Sequence, residues 1–126
     1  MNIPKDHQQV MVYLIIKDAA AFAEFLKDVF NGILLNTHMR EDGTTIMHGE
    51  VKIGDSTIMF AESTDQYVIQ NSHFFIYVND ADTTYARVIE YGGTSVTEVS
   101  DQSYGRSGGV MDRFGNTWWV TNISVE

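Results

Sequence analysis

The chain contains no cysteine. Disulfides, zinc–thiolate centres and thiol nucleophiles are thereby excluded. Basic side chains are scarce: 8 Lys and Arg face 17 Asp and Glu, for a formal net charge of −9. An acidic surface repels phosphate backbones, so nucleic acid is not an expected partner. The same surface favours solubility and cationic ligands. Long apolar runs are missing as well. None approaches the roughly 20 residues of a membrane span. The opening Met1-Asn2-Ile3-Pro4-Lys5-Asp6 lacks the apolar core of a signal peptide. A cytoplasmic protein with no membrane partner is expected. What remains is ordinary globular composition, 44% apolar over 126 residues, the length of one domain with a real core.

Val10 to Ile16 is β-branched and aromatic and too short for a core helix, so it reads as a buried strand. Asp18 is placed to cap a following helix. Phe22, Phe25, Leu26, Val29 and Phe30 recur at i, i+3, i+4, i+7 and i+8, one apolar face of a helix from about residue 19 to 30. Asn31-Gly32 ends it. Three strands follow, over Ile33–Met39, Thr45–Ile53 and Ser56–Ala61, separated by turns at Glu41-Asp42-Gly43 and Gly54-Asp55. Then the pattern restarts. Ser72 to Val78 is a strand. Asp80 or Asp82 caps a helix with Ala81, Tyr85, Val88 and Ile89 on one face, ended by Tyr91-Gly92-Gly93. Strands over Thr94–Val99, Ser107–Arg113 and Thr117–Ile123 complete it.

The chain is thus two copies of strand–helix–strand–strand–strand, an α+β fold. Met11 to Asp18 spans seven residues, as does His73 to Asp80. Asp18 to Gly32 spans fourteen, and Asp80 to Gly93 thirteen. A repeat of this kind decides the fold before any single motif does. The modules, about 8–62 and 71–126, are too small to stand alone and are expected to share the single domain 1–126.

Alternation assigns the faces. Val12, Leu14, Ile16, Met47, Gly49, Val51, Ile53, Ile58 and Phe60 suit the helix side of module one. Met11, Tyr13, Ile15, Ile46, His48, Glu50, Thr57, Met59 and Ala61 take the concave side. In module two Phe74, Ile76 and Val78 face the helix, while His73, Phe75, Tyr77, Ser107, Gly109 and Met111 lie opposite. Trp118 and Trp119 are both large and apolar, so alternation alone does not choose between them.

The stretches Tyr13–Asp18, Met47–Ser56 and Gly108–Trp119, the last closing in Asp112-Arg113-Phe114-Gly115-Asn116-Thr117-Trp118-Trp119, resemble the vicinal oxygen chelate superfamily. That group holds glyoxalase I, extradiol dioxygenases, fosfomycin resistance proteins and bleomycin-binding proteins; the nearest likeness is to small PhnB-like, glyoxalase-like proteins. One departure is Arg113, where such proteins usually carry proline. The resemblance implies two βαβββ modules with curled mixed sheets around a cavity. It also implies, in metal-dependent members, four ligands from the first and last strand of each module. Here those positions fall on Met11, on Met59 or a neighbour (Glu62 stands too near the strand end), on His73 and on Trp119, of which only His73 matches a usual ligand. No metal and no cofactor are therefore expected.

Three further features carry chemistry. His48 and Glu50 lie two apart on one strand face, an orientation suited to general base work, or else a polar pair at the sheet rim. His73 is a candidate base or a pocket-lining histidine. His38 and His7 show no comparable partner. Aromatic side chains define a ligand cavity of Met11, Tyr13, Met59, His73, Phe75, Met111 and Trp119, suited to a flat or cationic small molecule. The glycine-rich Tyr104–Gly109 runs into a strand, not a helix, so it is no phosphate cradle; its glycines fit a loop or a close backbone approach. Arg106 within it either pairs a ligand carboxylate or sits on the surface.

Two function classes follow. One is a metal-independent, glyoxalase-like protein that binds a small organic ligand, with bleomycin-type sequestration its sharpest form. The alternative is a metal-dependent lyase, isomerase or dioxygenase built on a non-standard His48/Glu50/His73 cluster. Open sheet edges predict a homodimer in either case.

Overall fold

The computed structural model describes residues 1–123; residues 124–126, the end of the expected second module, lie outside the described residues. The elements run β1 (Val12–Ile16), α1 (Ala19–Phe30), β2 (Ile33–Met39), β3 (Ile46–Ile53), β4 (Ser56–Glu62), β5 (His73–Tyr77), α2 (Ala81–Glu90), β6 (Thr94–Gln102), β7 (Gly105–Met111) and β8 (Thr117–Asn122). The chain divides into two compact units, Met1–Asn71 and one beginning at Ser72. Each unit is βαβββ, with sheet orders β1-β4-β3-β2 and β5-β8-β7-β6. In each, the first strand lies parallel to the last and the other pairings are antiparallel. The expected α+β repeat is therefore the observed one. Among the described residues no helix is long and apolar enough to cross a membrane.

In the first unit the apolar stripe of α1 buries Phe22, Phe25, Leu26, Val29 and Phe30. Phe22 meets Phe60 of β4 edge-on at 5.3 Å between ring centres. Gly49 of β3 leaves room for that ring, since a Cβ there would stand 2.7 Å from it. The start of α1 differs from expectation. Asp18 adopts a left-handed conformation (φ 64°) and makes no side-chain cap bond. The Glu62 carboxylate accepts the N–H groups of Asp18 and Ala19 instead, both at 2.9 Å. Parallel pairing of Ile16 with Glu62 brings the end of β4 to the helix N-terminus, where open N–H groups and the helix dipole favour an anion.

The second unit repeats the arrangement with different side chains. Asn122, at the end of β8, accepts the Ala81 N–H at 2.7 Å. Asp80, not Asp82, is the N-cap, accepting from Thr83 N at 3.1 Å. Trp118 settles the choice that alternation left open: it is 1% exposed and stacks on Phe74 at 4.2 Å. Its indole N–H donates to buried Asp112 at 2.8 Å. Asp112 also accepts the backbone N–H groups of Phe114 and Asn116 and the Asn116 amide. Burial pushes the Asp112 carboxyl up, against the pull of these donors. Arg113 lays its guanidinium over the Phe114 ring at 4.3 Å.

Strand ends shift in two places. β1 starts at Val12, not Val10, because Asp6 and Gln8 rather than a strand ladder meet Thr57: the Thr57 N–H donates to Gln8 Oε1 at 2.9 Å and its hydroxyl to the Asp6 carbonyl. β6 and β7 extend toward each other into a tight hairpin, with Gln102 paired to Gly105 at φ 143°. The expected glycine-rich loop is thus mostly strand.

Candidate functional site

In β1, β4 and β3, register places Tyr13 beside Met59 and Met59 beside Glu50, so these side chains share the face away from α1. His48 joins them two residues before Glu50. Its Nε2 lies 2.8 Å from Glu50 Oε2, and its Nδ1 lies 3.2 Å from the Tyr13 hydroxyl. This is no rim pair, since Glu50 is 5% exposed. His7, expected to lack a partner, is a correction: its Nε2 sits 2.9 Å from Glu50 Oε1. Asn36 of β2 donates to the same oxygen at 3.3 Å. The segment carrying His7 is pinned over the sheet by the Asp6–Lys52 ion pair at 2.8 Å and by Thr57. His38 is close to the group without bonding to it, its ring centre 6.3 Å from that of His48. Burial alone would raise the Glu50 carboxyl, but donors from His7, His48 and Asn36 hold it down to about 2. Glu50 is thus a buried carboxylate fixed in its charged form.

The corresponding face of the second unit is aromatic. Trp119 points away from its neighbour Trp118 and pairs in register with Phe75 on one side and Gly109 on the other. Its indole lies across Gly109, where a Cβ would stand 2.5 Å from the ring. The glycine therefore serves the close approach expected of it. The indole N–H donates to His73 Nδ1 at 3.1 Å. Phe75 meets Tyr77 at 5.4 Å and Tyr104 at 6.2 Å between ring centres. Phe75 is 53% exposed and Tyr77 67%; Tyr104 is exposed beside Phe75, and Met111, in register with Thr117, is exposed as well. Tyr104 was not among the expected lining residues; its hairpin-tip position became visible only once β6 and β7 were seen to close there. Ser107 lies on this face but is buried, bonded to Thr121 at 2.8 Å. Arg106 is not free for a ligand. It grips Asp82 through Nε and Nη2 at 2.6 and 3.1 Å and Asp101 at 3.1 Å.

The four positions where the resemblance would place metal ligands do not suit one. Met11 precedes β1, and Met59 offers only a thioether beside Tyr13. Trp119 has no lone pair to give and engages His73 Nδ1 instead. Hard divalent ions want three or more N or O donors. Of the expected His48/Glu50/His73 cluster, two imidazoles and an amide engage the Glu50 oxygens, while His73 lies in the second unit, bonded to Trp119. Among the described residues no group of three or more His, Cys, Asp or Glu side chains is arranged to hold a metal ion.

A repeated βαβββ fold with one face of each sheet turned away from its helix defines the class, and comparison places the chain within it. The family model of the Glyoxalase/Bleomycin resistance protein/Dioxygenase superfamily matches residues 8–120, and the chain belongs to that superfamily. It is 29% identical over 118 residues to an uncharacterised protein of Mycobacterium bovis, covering 84% of this chain and 77% of the relative. Its fold is similar to that of a PhnB protein from Bacillus cereus, with a TM-score of 0.73, 13% identity, and coverage of 91% of this chain and 99% of that one. It is likewise similar to TnmS3, an antibiotic binding protein from Streptomyces sp. CB03234, with a TM-score of 0.68, 17% identity, and coverage of 94% and 100%.

Proposed function

We propose that the protein binds a small organic molecule of antibiotic type, without a metal, and acts by sequestering it. The observation that carries this reading is the aromatic face of the second unit. Phe75 and Tyr77 stand open beside an indole held flat over Gly109. Exposed aromatic surface is expensive to leave in water and is commonly found where a ligand covers it. The polar groups described there are engaged with one another: His73 accepts from Trp119, Ser107 is bonded to Thr121, and Asp112 lies among core groups. Binding rather than turnover is what such a surface does. The formal charge of −9 favours a cationic ligand. The likeness to an antibiotic binding protein supports the same class. Met11, Tyr13 and Met59 are the ligand-facing residues proposed for the first unit, and His73, Phe75, Met111 and Trp119 for the second. The working form is a cytoplasmic homodimer, supported by edge strands that leave Ile33, Leu34 and Val96 exposed.

The test is a fluorescence titration with bleomycin, a cationic glycopeptide. Trp118 is buried, so quenching reports chiefly on Trp119. Saturable quenching that weakens at least tenfold in Phe75→Ala and disappears in Trp119→Phe is the expected result. A flat titration with bleomycin and with a panel of planar aromatic antibiotics overturns the reading. Light scattering on the same samples measures the oligomeric state, with twice the 14.2 kDa chain mass expected.

A further inference from the structure

The first unit carries a hydrogen-bond chain that runs from Glu50 through His48 to Tyr13. The Glu50 carboxylate has lone pairs and no proton, so it only accepts. His48 Nε2, 2.8 Å from it, must therefore carry the hydrogen. In a neutral imidazole the other nitrogen then bears a lone pair. That nitrogen, Nδ1, faces the Tyr13 hydroxyl at 3.2 Å. A phenol has one hydrogen to give, and a neutral His48 with its hydrogen on Nε2 takes it. What Tyr13 turns outward is oxygen lone pairs, on a side chain that is 49% exposed.

We propose that the Tyr13 phenol oxygen is an acceptor subsite for an ammonium or N–H group of the bound ligand, its direction set by Glu50 through His48. This deepens the reading of the protein as a small-molecule binder and rests on it. A ligand group with lone pairs only, such as a carboxylate, meets lone pairs at Tyr13 and is turned away; a primary amine or amide N–H is accepted. The remaining neighbours do not compete for the role. Lys52 is held by Asp6, and His7 and Asn36 address Glu50 rather than Tyr13. His38 faces the His48 ring without a hydrogen bond to it. The subsite belongs to one unit only, because register places Phe75, which has no oxygen, where Tyr13 stands in the other.

The experiment uses the full chain, isotope-labelled, at pH 8. Benzylammonium and benzyltrimethylammonium are titrated while the Tyr13 and His48 signals are followed by NMR. The two probes share charge and ring, but only the first has N–H donors. The first is expected to bind about tenfold more tightly at Tyr13, the worth of one good hydrogen bond. That preference should vanish in Tyr13→Phe. Long-range nitrogen–proton spectra of the unliganded protein should show His48 with hydrogen on Nε2, and hydrogen on Nδ1 instead would overturn the proposal whatever the probes do. Equal binding of both probes, or no perturbation of Tyr13 by either, also overturns it. In those cases the bleomycin titration at Trp119 still decides the wider reading on its own.

Discussion

The two units share a backbone and differ in what they place on it. Matching the parallel pairs puts Leu14 and Phe60 of the first where Ile76 and Val120 stand in the second. All four are apolar, because all face a helix. On the opposite face the same matching sets Tyr13 against Phe75, Met59 against Trp119 and Glu50 against Gly109. One face became a charged, hydrogen-bonded network and the other an aromatic sheet. The helix side of each module must be filled, so its chemistry is held constant. The other side carries no such demand and is where the copies diverge. Their buried carboxylates diverge too: Glu50 sits on the open face and is held low, while Asp112 lies in the core and is pushed up.

The largest expected effect separates these two acids. Asp112→Ala strands the Trp118 indole and three further donors in the core, and should cost about 3 kcal/mol of unfolding free energy in urea. Glu50→Ala leaves two imidazoles without their acceptor nearer the surface and should cost about 2 kcal/mol. If Glu50→Ala costs more, the first unit's network is structural before it is anything else.

Acid sharpens the contrast. The Glu50 carboxyl falls from the ordinary 4.5 to about 2 on folding, so its contribution is complete above about pH 4.5 and is lost as pH falls toward 2. Asp112 is raised, so the stability linked to its protonation is present at low pH and lost as pH rises through its raised value. Urea unfolding at pH 3 and pH 6 should therefore show a smaller acid loss in Glu50→Ala than in the parent protein. An equal loss in both would assign acid sensitivity elsewhere.

The smallest effect compares the helix starts. Glu62→Ala should destabilise by about 1 kcal/mol, the usual scale for a lost cap. Asn122→Ala should cost no more than that, because Asp80 still holds the first turn of α2. Thermal melts of the two variants rank them directly.

Much of this was readable beforehand because it depends on local spacing. The five apolar positions of α1, the restart at Ser72 and the shared face of His48 and Glu50 all follow from periods of 3.6 and 2. What escaped the sequence was set at long range. Glu62 caps α1 from 43 residues away, a pairing that only the β1–β4 register creates. His7 sits in a segment with no periodicity, so nothing in the chain announced its bond to Glu50. Trp118 and Trp119 have equal hydropathy, and only packing against Phe74 distinguishes the core ring from the open one. The sequence left Arg106 between a ligand and the surface because its carboxylate partner Asp82 lies 24 residues earlier, on another element.

The indole of Trp119 rests where a methyl group at Gly109 would have been. A single codon change there would tilt that ring and redraw the contour offered to any visitor, without touching the hydrophobic interior beneath. One added carbon atom at this position thus reshapes the exposed aromatic face and leaves the scaffold intact.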